Sequence, residues 1–235
     1  MVNEHDTKQW LHVDLPVTDY VDAWRLQQEL VKARADKRMN DDLVLLLEHP
    51  PVFTVGRRGG RENLTVTEDF LREKGIPRIE VERGGNITFH APGQLVVYPI
   101  IKLENAGLDI GEFITRLEDV MLQTASNYGL SAERNSLNRG IWIGSNKLGS
   151  IGICVRRGIA FHGLALNVNI SLEPFGWINP CGLHGIGVTS LERELSREIP
   201  MEQVRATLVR NIEKTFEVRL LETSLQELQG CMSAR

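Results

Sequence analysis

The chain has no apolar run approaching the roughly 20 residues needed to cross a bilayer. It has no basic excess: 27 Lys and Arg against 31 Asp and Glu give a net charge of −4, with the two signs interspersed. No extended electrostatic footprint for nucleic acid or an anionic membrane is therefore visible. Its cysteines, Cys154, Cys181 and Cys231, are odd in number and far apart, which fits reduced thiols better than a secreted disulfide framework. The opening MVNEHDTKQW lacks the basic and apolar regions of a secretory signal, and no internal repeat, low-complexity tract or linker interrupts the chain. These absences lead to the expectation of a cytoplasmic protein that binds neither nucleic acid nor membrane.

What is present is enough chain, 235 residues, to bury a substantial core without a disulfide or metal. A single domain over 1–235 is expected. TDYVDAWRLQQELVKARADKR reads as a helix with Thr18 as N-cap and Val21, Trp24 and Val31 near one face. DLVLLLEHP then reads as a buried strand stopped by Pro50 and Pro51. VFTVG leads into GRRGGREN, a loop without periodicity that looks mobile or ligand-facing, and TEDFLREKG is a short helix ended by Gly75. IEVER and NITFH, separated by Arg83-Gly84-Gly85, resemble two strands joined by a glycine turn, and APGQ turns the chain again into QLVVYPI, giving a meander.

Phe113, Leu117, Met121 and Thr124 recur at helical spacing in a helix closed by Gly129. GIWIG, KLGSIGICV and IAFHGLALNVNI form three strands whose short connections require antiparallel pairing. MEQVRATLVRNIEKTFEVRL sets Val204, Leu208, Ile212 and Phe216 on one helical face. The class is therefore α/β, with a mixed, largely antiparallel sheet packed with helices.

INPCGLHG places Cys181 between Pro180 and Gly182. A cysteine nucleophile works as thiolate, and a free thiol with a pKa of about 8.5 is only slightly ionised at neutral pH, so Cys181 needs a cation or base nearby. Taken alone it reads more readily as an inert buried thiol. Cys181 and His184 could start a zinc site, but no second ligand pair follows. Lys147 opens KLGSIGI beside two small residues, or is an ordinary solvated hairpin lysine. RGGNITFHAPGQ packs two glycines, Arg83, His90 and a PGQ turn into twelve residues between strands, where backbone can approach a ligand closely. His49 and His162 are further pocket candidates. Cys154, in IGICV, reads as a packed core residue, and Cys231 as part of a mobile polar tail.

EHPPVFTVGRRG, RGGNITFHAPGQLVVYPI, NKLGSIGICVRRGIAFHGLALNVNI and INPCG followed by GVTSL occur in that order, and together they resemble the lipoyl(octanoyl) transferase family over roughly Leu43 to Leu191. The resemblance implies a fold similar to the biotin and lipoate protein ligases. It also implies transfer of an octanoyl or lipoyl group from acyl carrier protein to a lysine of lipoyl domains, those of 2-oxoacid dehydrogenase subunits and of the glycine cleavage H protein.

Carried over by position, the family's acyl-accepting cysteine is Cys181, and the lysine that lowers its pKa is Lys147. The substrate-binding segments become Arg83, Gly84, Gly85, Asn86, Ile87, Thr88, Phe89 and His90, then Ser150, Ile151 and Gly152, then Gly163, Leu164 and Ala165. Ala91 stands where the commonest form of the motif has glycine, and Gly149 where it has alanine. Both are small-for-small changes that bear on the shape of the acyl pocket.

The implied reaction runs through a Cys181 thioester with Lys147 as acid and base, and needs no cofactor, metal or nucleotide. Burying six methylenes would contribute roughly 5 kcal/mol to chain-length selection. The alternatives are an ATP-dependent lipoate or biotin ligase on the same fold, and a silent module that binds lipoyl domains or acyl carriers.

Overall fold

The computed structural model describes residues 7–179 and 186–233. In chain order its elements are β1 (Lys8–Val17), α1 (Tyr20–Ala35), β2 (Leu43–Glu48), β3 (Val52–Val55), α2 (Glu68–Glu73), β4 (Arg78–Glu80), β5 (Ile87–His90) and β6 (Gln94–Lys102). There follow α3 (Leu103–Ala106), α4 (Ile110–Asn127), β7 (Glu133–Asn135), β8 (Asn138–Ile143), β9 (Asn146–Arg156) and β10 (Ile159–Asn167). The chain ends in β11 (Gly187–Val188), α5 (Leu191–Leu195), α6 (Met201–Phe216), β12 (Val218–Glu222) and α7 (Leu225–Ser233).

The main sheet runs β12-β1-β2-β6-β10-β9-β8-β7, with β11 also paired to β9. It is antiparallel from β2 to β7, while β1 lies parallel to both β12 and β2 and β11 lies parallel to β9. This is the mixed, largely antiparallel α/β arrangement expected from the strand spacing.

Period-two alternation decides which helices cover which face. On β2 and β6, Val44, Leu46, Leu95, Val97 and Ile101 pack with Phe113, Leu117 and Met121 of α4 and Val204, Leu208 and Ile212 of α6. Their neighbours Leu43, Leu45, Leu47, Val96, Tyr98 and Ile100 pack on the other face with Leu26, Leu30 and Val31 of α1 and Leu228 of α7. Both faces of the central strands are thus covered, which is why β2 reads as one continuous apolar run.

Four local expectations need correction. Asp19, not Thr18, caps α1: its carboxylate accepts from the amides of Val21 at 2.8 Å and Asp22 at 3.4 Å. The buried residues of the helix include Tyr20, Ala23, Leu26, Gln27, Leu30, Val31 and Arg34, so Val31 is buried as expected, whereas Val21 and Trp24 are only half-buried. Residues 217–220 do not extend the last long helix; Glu217 turns left-handed at φ 55° and Val218 starts a strand paired with Lys8. The tail after residue 224 folds as α7, so its backbone is helical rather than a mobile polar end.

The fourth correction concerns the meander. β4 and β5 are not hairpin partners: β3 lies between them in a separate three-stranded sheet, parallel to β4 and antiparallel to β5. The intervening segment cannot close a turn, because the Gly84 amide donates to the Ile153 carbonyl on β9 at 3.0 Å while the Arg83 guanidinium folds back onto Thr54 of β3. The glycine segment thereby links the small sheet to the main one. The opening strand β1, which the hydrophobic pattern had not revealed, lies next to β2, with Trp10 and Val13 directed to opposite faces.

One contact fixes how closely the central strands approach. The β6–β10 register runs Ala160↔Ile101 and resumes at Leu164↔Val97, skipping the stretch opposite Pro99, which has no N–H to donate. There the His162 amide donates instead to Gln27 Oε1 of α1 at 2.8 Å. A Cβ on Gly163 would sit 1.9 Å from the Val97 carbonyl oxygen. Gly163→Ala is therefore expected to destabilise the protein by about 1–3 kcal/mol through overpacking, seen as a lower calorimetric midpoint; an unchanged midpoint would show that β6 yields freely.

Candidate active site

An open cleft lies where the segment from Arg83 to His90 faces β9 and β10. Of the binding positions carried over from the family, all but Gly84 and Phe89 line it, and Lys147 lines it too. Gly84 is spent on its backbone bond to Ile153, and Phe89 points the other way, tilted against Phe53 and edge-on to Phe175 in the core of the small sheet. Strand alternation explains the difference: Thr88 and His90 share one face of β5 and Phe89 the opposite one. Ala91 and Gly149, the two departures from the family pattern, do not line the cleft. At Gly149 a methyl would meet Met121 Sδ at 2.6 Å, so Met121 fills the space an alanine side chain would take.

Lys147 is only 4 % exposed, and its Nζ lies 5.2 Å from the centroid of the Trp142 ring, within cation–π distance. Gly140 makes room for its stem: a Cβ there would be 3.1 Å from Lys147 Cε. The main chain at Lys147 is held by Val188 of β11 as strand partner and by the Thr189 amide, which donates to its carbonyl at 3.0 Å. Cys181 and His184 lie outside the described residues, so the thiol and the Cys-x2-His spacing carry no geometry here. The described chain on either side is anchored. The Asn179 amide donates to the Asn63 carbonyl at 2.7 Å, and the segment that resumes at residue 186 enters β11 beside Lys147.

A hydrogen-bond chain joins the cleft's two ends, and carbonyl acceptors fix its direction. Arg83 Nη2 donates to Thr54 Oγ1 at 2.8 Å and to the Thr54 carbonyl at 2.6 Å. Gln94 Nε2 donates to Asn167 Oδ1 at 2.8 Å, which leaves Gln94 Oε1 to accept from His90 Nδ1–H at 2.7 Å. His90 Nε2 is then the lone-pair nitrogen, and it accepts from the Thr54 hydroxyl at 3.3 Å. Asn167 Nδ2 donates onward to the Thr189 carbonyl at 2.9 Å, next to the Thr189 amide that holds Lys147. Every side chain in the chain is buried, where an unmet polar group is costly.

His90 is ordered by this chain rather than charged: burial holds its pKa well below the usual imidazole range, and the charges of His49 and Arg83 act in the same direction. His49 does not line the cleft. Its Nδ1–H donates to the Thr18 carbonyl and its Nε2 accepts from the Tyr98 hydroxyl, both at 2.7 Å, and burial lowers its pKa to about 4. His162 does line the cleft. It sits at φ 57° with neither ring nitrogen hydrogen-bonded among the described residues, 3.9 Å from Glu82, and burial lowers its pKa as well. Cys154 is half-buried at the edge of the α1-side core, its thiol pushed up by burial, which does not favour a nucleophile.

Thr54, Gln94, Asn167 and Thr189, with Tyr20, Tyr98 and Asn138 in the cleft wall, were not singled out from sequence. A signal existed for Thr54, Gln94, Tyr98, Asn167 and Thr189, since each lies within a quoted motif, but nothing in a linear pattern says that they touch. Among the described residues no group of three His, Cys, Asp or Glu is placed to hold a metal ion, and no helix is long and apolar enough to cross a membrane.

Comparison with known proteins adds an independent finding. Residues 19–213 match the family model of the lipoyl protein ligase A/B catalytic domain. The chain is 43 % identical over 206 residues to an octanoyltransferase of Desulfotalea psychrophila, covering 87 % of this chain and 92 % of that one. It is 46 % identical over 195 residues to an octanoyltransferase of Rubrobacter xylanophilus, covering 82 % and 87 %. Among solved structures, the bipartite lipoate protein ligase of Thermoplasma acidophilum superposes with a TM-score of 0.73 at 16 % identity, covering 97 % of this chain and 91 % of that one. The biotin protein ligase of Aquifex aeolicus superposes at 0.51 and 11 %, covering 89 % and 69 %. At such identities the likeness concerns the fold.

The buried chain makes a definite prediction. Gln94→Leu leaves His90 Nδ1–H and Asn167 Oδ1 without partners and should cost about 1–3 kcal/mol for each, read as a fall in urea-unfolding free energy. Stability equal to wild type would show that these bonds are not needed to hold the cleft.

Proposed function

From the premise that this chain belongs to the octanoyltransferase family, and is an acyltransferase of the lipoyl protein ligase A/B catalytic class, we propose that it works by a Cys181 acyl-thioester relay assisted by Lys147. The donor is octanoyl-acyl carrier protein and the acceptor a lysine of a lipoyl domain. The observation that carries this reading is the buried Lys147 at the end of an apolar-walled cleft, on the strand that pairs with the chain just after the Cys181 segment.

In the first half-reaction the Cys181 thiolate attacks the donor carbonyl. A new C–S bond forms, the donor C–S bond breaks, and the carrier thiolate departs with a proton from the Lys147 ammonium, which leaves Lys147 a neutral amine. In the second, the acceptor amine attacks the enzyme thioester; the amide C–N bond forms, Cys181 leaves as thiolate, and Lys147 accepts the proton lost from nitrogen. The Lys147 ammonium then stands beside the regenerated thiolate and favours that ionised state. Exchange between thioesters is nearly isoenergetic and aminolysis is downhill, so no nucleotide has to activate the acyl group.

The acyl chain has a place to lie. From Lys147 to Gly152 is about five strand rises, roughly 17 Å of β9, and Ile87, Val96, Ile151 and Leu164 face the cleft along it. The ATP-dependent reading rests on fold likeness alone, whereas relatives of this chain above 40 % identity carry the transferase name. We further propose that the chain acts as one domain over 1–235 and works in the cytoplasm. The lipoyl domains it serves are those of 2-oxoacid dehydrogenases and the glycine cleavage H protein.

Intact-mass analysis after mixing with octanoyl-acyl carrier protein should show one octanoyl increment, localised to Cys181 and discharged by adding a lipoyl domain. Cys181→Ser should form no adduct, and Lys147→Met should slow transfer by roughly a hundred- to ten-thousand-fold. Undiminished transfer by Cys181→Ser, or turnover that needs ATP and free octanoate, would refute the relay.

A further inference from the structure

The Gly- and Arg-rich loop after β3 remains without a role, and its attachment to the cleft suggests one. Gly56, Arg57 and Arg58 donate their amides to the carbonyls of Asn86 at 3.3 Å, Arg83 at 3.0 Å and Gly85 at 3.0 Å. Asn86 Nδ2 donates back to the Arg58 carbonyl at 3.5 Å. The packing is tight, since a Cβ on Gly56 would lie 2.4 Å from the Gly85 oxygen. Arg83, Gly85 and Asn86 line the cleft, so the loop is the outer layer of the cleft wall and not an independent flap.

The side chains of Arg57 and Arg58 are exposed, and among the described residues neither has a carboxylate within ion-pair distance. Nearby cations are placed differently: Arg61 pairs with Glu80 at 3.0 Å, Arg78 with Glu68 at 2.7 Å, and Arg156 with Glu82 at 3.4 Å. In a chain with more acids than bases, two adjacent arginines are thus left exposed on the loop whose backbone is bonded to the cleft-wall segment.

Guanidinium forks match phosphate oxygens in geometry and charge. The two substrates differ in this respect: an acyl carrier presents its thioester on a phosphopantetheine arm, whereas the acceptor lysine has no phosphate near it. We propose that Arg57 and Arg58 bind the phosphate of the donor's thioester-bearing arm, so that the rim recognises the donor in the first half-reaction and is silent in the second. This rests on the octanoyl-enzyme reading above.

The test compares acylation rates of wild type and the Arg57→Ala/Arg58→Ala double variant, read by rapid-mixing intact mass. Three donors are used: octanoyl-acyl carrier protein, octanoyl-phosphopantetheine, and octanoyl-pantetheine, which lacks only the phosphate. The expected result is a loss on the order of tenfold with both phosphate-bearing donors, no change with octanoyl-pantetheine, and unchanged discharge to a lipoyl domain. The double lysine variant should recover part of the rate.

Equal rates for variant and wild type, an equal loss with both small donors, or a loss confined to the carrier protein would overturn the assignment. The last outcome would place the arginines against the carrier's protein surface instead. A wild-type enzyme that forms no adduct with any donor would refute the thioester reading itself, which separates the two failures.

Discussion

The arrangement depends on one constraint: a row of polar side chains buried between two sheets must satisfy itself, because water is not there to do so. Arg83, Thr54, His90, Gln94, Asn167 and Thr189 meet this in sequence, each donating to or accepting from the next. The row starts at the segment that walls the cleft and ends at the backbone that holds Lys147. Placing Lys147 is therefore not a local matter of β9 alone. It draws on residues from β3, β5, β6, β10 and the chain after β11, and each quoted motif except the Cys181 segment contributes at least one of them.

That dependence explains why so many glycines and small residues surround the site. Backbone must pass within contact distance of backbone for the polar row to close, as at Gly93, where a Cβ would meet the Asn169 carbonyl carbon at 2.7 Å. The Gly93 amide is in turn held by Glu48 at 2.8 Å, and its carbonyl accepts from Val168 and Asn169. The turn between the small sheet and the main one is thus locked by the end of β2 and the end of β10. A rigid wall of this kind suits the proposed relay, which would need no large closure around a nucleotide, only an apolar slot and a cation beside the reacting sulfur.

Much of this was legible in the sequence, for definable reasons. The strands β8, β9 and β10 follow from short connections that leave no room for a crossover, and α4 and α6 follow from unbroken apolar stripes such as Val204, Leu208, Ile212 and Phe216. Sequence failed where pairing is non-local. β4 and β5 look like a hairpin because they are adjacent in sequence, but β3 separates them, and only the Arg83–Thr54 and Gly84–Ile153 contacts explain the detour. The site shows the same division. Lys147, His90 and the glycine segments stand out by motif, whereas the roles of Gln94, Asn167 and Thr189 exist only once four distant segments have come together. The exchange at Gly149 is understood only through Met121, on a helix that no linear motif connects to it.

The proposed relay requires Lys147 to keep Cys181 ionised, and this can be measured without substrate. Peptide-resolved alkylation of Cys181 as a function of pH should, in wild type, titrate well below the free-thiol value of about 8.5, and the midpoint should move up toward that value in Lys147→Met. Superimposable profiles for the two proteins would contradict the account, because Lys147 would then have no hold on the thiol.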